Sequence, residues 1–134
     1  MTIQLDHVIV PSHNRLEGAR HLAELLDVPW TPSQGSFTPV YVNEALTLDF
    51  ADREKFEGHH FCFRVTDERF DAILGRIQAQ RIPYRGHPRG ANDMQINARL
   101  GGKNLYWDDA DGHLWEILTV SYARPESPSL TPAR

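Results

Sequence analysis

His7, His60 and Glu116 are the residues of this chain whose types and settings best suit a divalent metal. Each lies in a short apolar stretch: LDHVIV, HHFCFRV and HLWEIL. Side chains alternate faces along a strand. His7 therefore shares a face with Leu5 and Ile9, His60 with Cys62 and Arg64, and Glu116 with Leu114 and Leu118. Phe61, Phe63 and Val65 are left to pack under a helix. A carboxylate or imidazole in such surroundings is costly unless it is paired or metal-bound. Two imidazoles and one carboxylate form the ligand set of Fe(II) oxygenases and of open zinc sites. Three protein ligands leave room for water and a bidentate substrate, as Lewis-acid chemistry requires. A lone strand histidine is more often a partly buried packing residue. The coincidence of three such residues at matching places of a repeat outweighs that base expectation.

The repeat follows from the elements that must position these residues. Residues 3–10 read as a strand, closed by Pro11 and Ser12, with Ser12 able to cap the helix that follows. Leu16, Ala19, Leu22, Ala23, Leu25 and Leu26 have helical spacing, and Pro29 stops that helix. An extended piece at 28–32 is a candidate edge strand. Strands at 37–42 and 46–50 are joined by Asn43, Glu44 and Ala45. The order then recurs. A strand at 60–66 leads to Asp67 as a plausible N-cap, and a helix follows with Phe70, Ile73, Leu74 and Ile77. A short strand is expected near Tyr84, then a long loop at 86–102, rich in Gly, Pro, Asn and charge. Strands at 105–107 and 114–119 flank a turn at Ala110, Asp111 and Gly112. Residues from 124 onward have no periodicity and read as a loose tail.

Two βαβββ modules, roughly 1–55 and 56–123, thus form one α+β domain over residues 1–123. LDHVIV aligns with GHHFCF, which sets His7 opposite His60. LTLDFA aligns with HLWEIL, which sets Asp49 opposite Glu116. Like positions in paired modules approach each other across a pseudo-twofold axis, so four potential ligands point at one region.

Bulk properties narrow the function. A chain of 134 residues with 40% hydrophobic and 24% charged residues is one ordinary globular domain. The net charge of -4 argues against general nucleic-acid binding. No apolar run reaches the roughly 20 residues of a membrane span. The N-terminus lacks the pattern of a signal peptide. The single cysteine, Cys62, has no partner for an internal disulfide, and the expected compartment is the cytoplasm.

The βαβββ repeat, the opening DHVIV, the HHFCFRV strand and the closing DDADGHLWEIL resemble the vicinal oxygen chelate superfamily. That group includes glyoxalase I, bleomycin-resistance proteins, fosfomycin-resistance thiol transferases and extradiol dioxygenases. The resemblance spans roughly residues 3–120, and DGH-x-x-E is its most specific part. It implies a cupped, half-barrel mixed sheet with helices outside, one divalent metal (Fe, Mn, Zn, Ni or Co) on His7, His60 and Glu116, and a small substrate chelating through adjacent oxygens. It also implies a homodimer. Glyoxalase I adds a glutamate ligand where this chain has Asp49, a side chain one methylene shorter. Asp49 is accordingly a ligand, a general base or a solvated strand residue. The fosfomycin enzymes share the triad and a tyrosine matching Tyr106, but carry threonine where Ile9 stands.

Other residues have narrower roles. Arg64 points to the His60 face, where it would hold an anionic substrate or pair with Asp49. Tyr106 is the favoured cavity-lining residue of the Tyr106–Trp107 pair. Cys62 reads as a small buried thiol, His59 as a surface or loop residue, and His113 as a residue that shapes the turn. Asp108 and Asp109 read as solvated hairpin charge. The loop with Asn97, Gly101 and Gly102 is a candidate lid. The reading as a whole is a metal-dependent lyase, isomerase or dioxygenase. Its rivals are a non-catalytic drug- or metabolite-binding protein and a fold relic with an empty triad.

Overall fold

The computed structural model describes residues 3–99 and 101–124. The elements run β1 (His7–Ser12), α1 (Arg15–Leu26), β2 (Phe37–Tyr41), β3 (Thr47–Asp52), β4 (His60–Arg64), α2 (Asp67–Ala79), β5 (Asn104–Asp108) and β6 (Leu114–Leu118). They form two mixed three-stranded sheets, ordered β1-β3-β2 and β4-β6-β5. In each sheet the first strand pairs parallel with the last, and the middle strand in sequence pairs antiparallel with it. The expected second strand of each module is reduced to a single bridge, Trp30 to Val40 and Arg85 to Tyr106. This is the expected α+β fold of two tandem βαβββ modules. Most of the expected tail, residues 125–134, lies outside the described residues.

The register bears out the repeat alignment. Ile9 faces Asp49 across β1 and β3, as Cys62 faces Glu116 across β4 and β6. The partner on the third strand is Pro39 for Asp49 and Tyr106 for Glu116.

Both helices form because their apolar residues recur on one stripe. Ala19, Leu22, Ala23, Leu25 and Leu26 are buried in α1, and Phe70, Ile73 and Ile77 in α2. The caps fall near the expected places but on other residues. Asn14, not Ser12, accepts from the Glu17 N–H, and Thr66, not Asp67, accepts from the Arg69 N–H. Ser12 Oγ is engaged elsewhere, donating to Asp111 Oδ2 at 2.6 Å. Asp67 lies in the first turn of α2, where a negative charge favours the helix dipole.

One core joins the modules. Val10, Val40, Leu48 and Phe50 of the first meet Leu105, Trp107, Trp115 and Ile117 of the second, with both helices between them in the same cluster. Phe50 stacks on Trp115 at 6.4 Å, and Phe61 and Phe63 flank Trp115 at 4.7 and 6.0 Å. The core-facing residues are thus the even numbers of β1 to β3 and the odd numbers of β4 to β6. His7, Asp49, His60 and Glu116 all occupy the opposite faces, away from the helices.

Candidate functional site

The second sheet carries a buried carboxylate with an unusual set of neighbours. Glu116 is fully buried at the centre of β6. His60 Nε2 lies 2.9 Å from its Oε1. Asn104 Nδ2 donates to Oε2 at 3.0 Å, and the Tyr122 hydroxyl donates to Oε1 and Oε2 at 2.8 and 3.0 Å. Tyr106 is buried on the adjacent strand, with its ring 6.1 Å from that of His60. No lysine or arginine pairs with Glu116 among the described residues. A charge removed from water and met only by neutral donors and an imidazole remains electrostatically unbalanced.

The acids around Glu116 stay protonated. Desolvation first, then the Glu116 charge, pushes the Cys62 thiol up to about 12. The same two causes in the same order raise the Tyr106 phenol, and burial followed by the Glu116 hydrogen bond raises that of Tyr122. Tyr122 therefore meets the carboxylate as a neutral O–H donor, with Cys62 and Tyr106 un-ionised beside it. Cys62 is exposed rather than buried, because it shares the open face of β4 with His60.

His60 and Glu116 are donor types that a divalent ion takes. Their 2.9 Å approach is that of a hydrogen bond, and no third His, Cys, Asp or Glu gathers with them among the described residues. Asn104 Oδ1, buried beside the carboxylate, has no hydrogen-bond partner among the described residues.

Within one chain the structure brings His60 to Glu116 and leaves His7 apart. Among the described residues no three His, Cys, Asp or Glu side chains gather into a metal-holding group. The reason is topological: the ligand faces of the two sheets both turn away from the single core they share. His7 is exposed on β1, with Nδ1 2.8 Å from Asp6 Oδ2. That bond, first, raises its pKa; desolvation opposes it, and the nearby Asp6 and Asp49 charges add smaller upward pulls. Holding Nδ1 leaves Nε2 facing outward, the arrangement a carboxylate gives a ligating imidazole. Asp49 is half-buried on the same face as His7, not beside Glu116.

Arg64 lies one pleat beyond Cys62 and lines an open cleft of about 970 Å³ between the second sheet and the end of α1. Tyr41, Leu46 and Arg69 also line it, whereas His60 and Glu116 do not. Cys62 lines it too, and so joins the cleft to the carboxylate. No ion pair links Arg64 to Asp49 among the described residues.

The turn that precedes Glu116 is built from the DDADGH segment. His113 is fully buried, accepts the His59 N–H at Nδ1 and donates from Nε2 to the Pro11 carbonyl at 2.6 Å. It clamps the start of β4 to the end of β1, so its role exceeds shaping the turn. Asp109 is no solvated charge either. It accepts from the Asp111 and His113 N–H groups and from Trp115 Nε1. Asp108 pairs with the buried Arg85 at 2.6 Å. Gly112 adopts φ 81, and Gly58, two residues before His60, sits against its carbonyl so closely that a Cβ there would collide. These contacts fix where His60 meets Glu116.

Two site residues escape the sequence pattern. Asn104 is legible in retrospect, because it shares parity with Tyr106 in an apolar strand. Tyr122 follows β6 in an irregular segment, and nothing in its spacing points to Glu116.

The chain matches no known family profile and no curated protein sequence. Its structure is similar to that of a protein described as oxidase ChaP-H2, with 37% identity and a TM-score of 0.84, over 91% of this chain and 97% of that one. Oxidase ChaP-H1 is similar at 35% identity and a TM-score of 0.84, over 90% and 98%. A glyoxalase/dioxygenase from Nostoc punctiforme shares the fold at 13% identity and a TM-score of 0.66, over 88% and 91%.

Proposed function

We propose, because this chain belongs to the vicinal oxygen chelate superfamily, that it is a divalent-metal-dependent oxidoreductase for a small substrate that binds through two adjacent oxygens. The observation that carries the reading is the 2.9 Å pairing of His60 with a fully buried Glu116 that no lysine or arginine pairs among the described residues. His7 completes the ligand set, supplied by a second copy of the chain. The outward face of the first sheet supports this arrangement. Ile9 of β1 is 45% exposed on that face, and Leu5 and Ile3, in the segment leading into β1, are 64 and 85% exposed. Covering that apolar strip would stabilise a pair of copies. A twofold pair makes the contact reciprocal, so two identical sites result.

The choice of oxidation over isomerisation rests on two supports. Two histidines and one carboxylate suit non-haem Fe(II), and the two similar proteins quoted above at over 30% identity are described as oxidases. When bound, the ion polarises the substrate oxygens it holds. The chain's own residues do the rest. Arg64 draws an anionic group of the substrate into the cleft. Tyr106 donates a hydrogen bond near the reacting oxygens from a phenol kept protonated by burial and by Glu116. Asn104 holds Glu116 Oε2 and leaves Oε1 turned to His60. Asp49, which accompanies His7 from the second copy, moves a proton to or from the substrate. No described helix is long and apolar enough to cross a membrane, and the working compartment is the cytoplasm.

Metal analysis of anaerobically purified protein, paired with oxygen uptake in the presence of catechol-like and hydroxyketone substrates, tests the reading. One metal per chain that is lost in His60→Ala supports it. Metal-free protein whose melting temperature ignores added Fe, Mn, Zn, Co and Ni would refute it. Ligand uptake that survives chelation would favour a binding protein instead.

A further inference from the structure

We infer that Arg85 is a positioning residue, whose guanidinium folds the 86–97 loop so that the two ends of the loop hold Asn104 and Tyr106 against Glu116. The inference rests on the metal reading above for what Glu116 does, and goes beyond it to how this chain sets that residue. Asn104 and Tyr106 share one face of β5, and Tyr106 stands opposite Glu116 of β6. Both are held by their backbones from the outer edge of β5. The Tyr106 N–H donates to the Arg85 carbonyl at 2.8 Å, and the Arg85 N–H donates to the Tyr106 carbonyl at 3.0 Å. Asn104 and Asn97 exchange the same two bonds at 2.7 and 2.9 Å. The ends of one loop therefore bracket the two residues of β5 that face Glu116, and Asn104 donates directly to its carboxylate. Arg85 lies opposite Tyr106, so its side chain emerges on that same face. It is buried, and its fork ties three places together. Nη1 donates to Asp108 Oδ2 at 2.6 Å and to Asn92 Oδ1 at 2.9 Å, and Nη2 donates to the Pro88 carbonyl at 2.9 Å. Pro88 and Asn92 belong to the loop and Asp108 ends β5, so one planar cation fastens loop to strand. The two ends of the loop also touch. A Cβ on Gly86 would meet Asn97 N at 3.0 Å and Asn97 Cβ at 3.1 Å. This part of the stretch expected as a lid is a fastened wall of the site.

Arg85→Met removes the fork and keeps an apolar stem. Amide hydrogen exchange of the metal-free protein reads the hold directly. Exchange at Asn104 and Tyr106 should quicken by at least about tenfold, while Tyr41 and Val65, whose N–H groups are bonded elsewhere, keep the wild-type rate. A role in stability alone would quicken all four together. Calorimetric titration with Mn(II) should show binding about tenfold weaker than wild type. Arg85→Lys keeps the charge beside Asp108 without the fork, and should resemble Arg85→Met. Asn92→Ala, at an exposed loop position, should give the same pattern more mildly, and it serves where the Arg85 variants fail to fold. Unchanged exchange at Asn104 and Tyr106, equal quickening at all four amides, full rescue by lysine, or unchanged Mn(II) affinity despite local quickening overturns the inference and leaves the metal reading intact. Wild-type protein that binds no Mn(II), Fe(II) or Zn(II) removes the metal reading, and the exchange pattern then decides the hold of Arg85 on β5 by itself.

Discussion

Replacing Glu116 with glutamine should separate what this residue does for stability from what it does for the metal. The carboxylate is fully buried, with neutral donors at 2.8 to 3.0 Å and no lysine or arginine partner among the described residues. Burying an ion costs several kcal/mol, and each hydrogen bond to it returns about 1.5–3 kcal/mol. The two terms nearly cancel. Glutamine keeps the shape: its oxygen can accept from Asn104, and its amide can donate to the hydroxyl oxygen of Tyr122 and to a deprotonated His60 Nε2. The metal-free variant should therefore unfold within about 1–2 kcal/mol of wild type, in either direction. With metal the contrast should be large. A ligand at 100 times its Kd adds about 2.7 kcal/mol. For a chain of 134 residues, one kcal/mol moves the melting temperature by about 3–5 °C, so wild type should gain about 10 °C. Glu116→Gln should gain almost none. Thermal denaturation followed by circular dichroism, with chelator and with saturating Mn(II) or Zn(II), reads both numbers. A metal-free loss above about 3 kcal/mol would show that the charge itself holds the fold, and a retained metal shift would remove Glu116 from the ligand set.

Four other outcomes follow from the same geometry. Asn104→Leu, which frees Glu116 Oε2, should weaken metal affinity about 10- to 100-fold with little change in secondary structure, as equilibrium dialysis would record. Asp49→Asn should retain metal and lower kcat by about 10²- to 10⁴-fold if Asp49 carries the proton; an unchanged rate would return it to a bystander role. Arg64→Ala should raise KM by at least about tenfold for an anionic substrate and leave kcat nearly constant, since a charge-assisted contact would be lost in substrate and transition state alike. His21 sets a pH dependence of stability. Burial, first, holds its pKa below the ordinary 6.5, against opposing pulls from Asp109 and Glu24. Its Nε2 accepts from Trp107 Nε1 at 3.3 Å, which requires the neutral ring. The unfolded chain takes up a proton as pH falls below 6.5 and the folded chain does so only at lower pH. Stability is therefore full above 6.5 and declines as pH falls from there through the folded pKa. His21→Gln should flatten that slope in urea denaturation at pH 5 to 7.

Much of the fold was legible because strand parity and module repetition are local properties. Aligning LDHVIV with GHHFCF and LTLDFA with HLWEIL anticipated that Asp49 and Glu116 occupy equivalent register positions, and Ile9–Asp49 and Cys62–Glu116 do so. The pairing of His60 with Glu116 followed from the same parity. How the modules pack was not legible. That depends on long-range contacts, such as Phe50 on Trp115 and His113 on the Pro11 carbonyl, which no periodicity encodes. Those contacts give the chain one core behind both sheets and turn His7 away from His60. The helix caps moved by one or two residues because Ser12 and Asp67 had other work. Tyr122 was hidden because an irregular segment carries no pattern to read.

The central claim is that His7 of one copy joins His60 and Glu116 of another. Mixing His7→Ala with Glu116→Gln protein under conditions that exchange subunits tests it directly. Neither variant alone should hold metal. In a heterodimer the Glu116→Gln chain supplies an intact His7 and the His7→Ala chain an intact His60 and Glu116, so one of two sites is whole. Random exchange makes half the dimers mixed, and metal content should recover to about one quarter of the wild-type level. Mixed dimers, verified by mass, that remain free of metal would contradict the account.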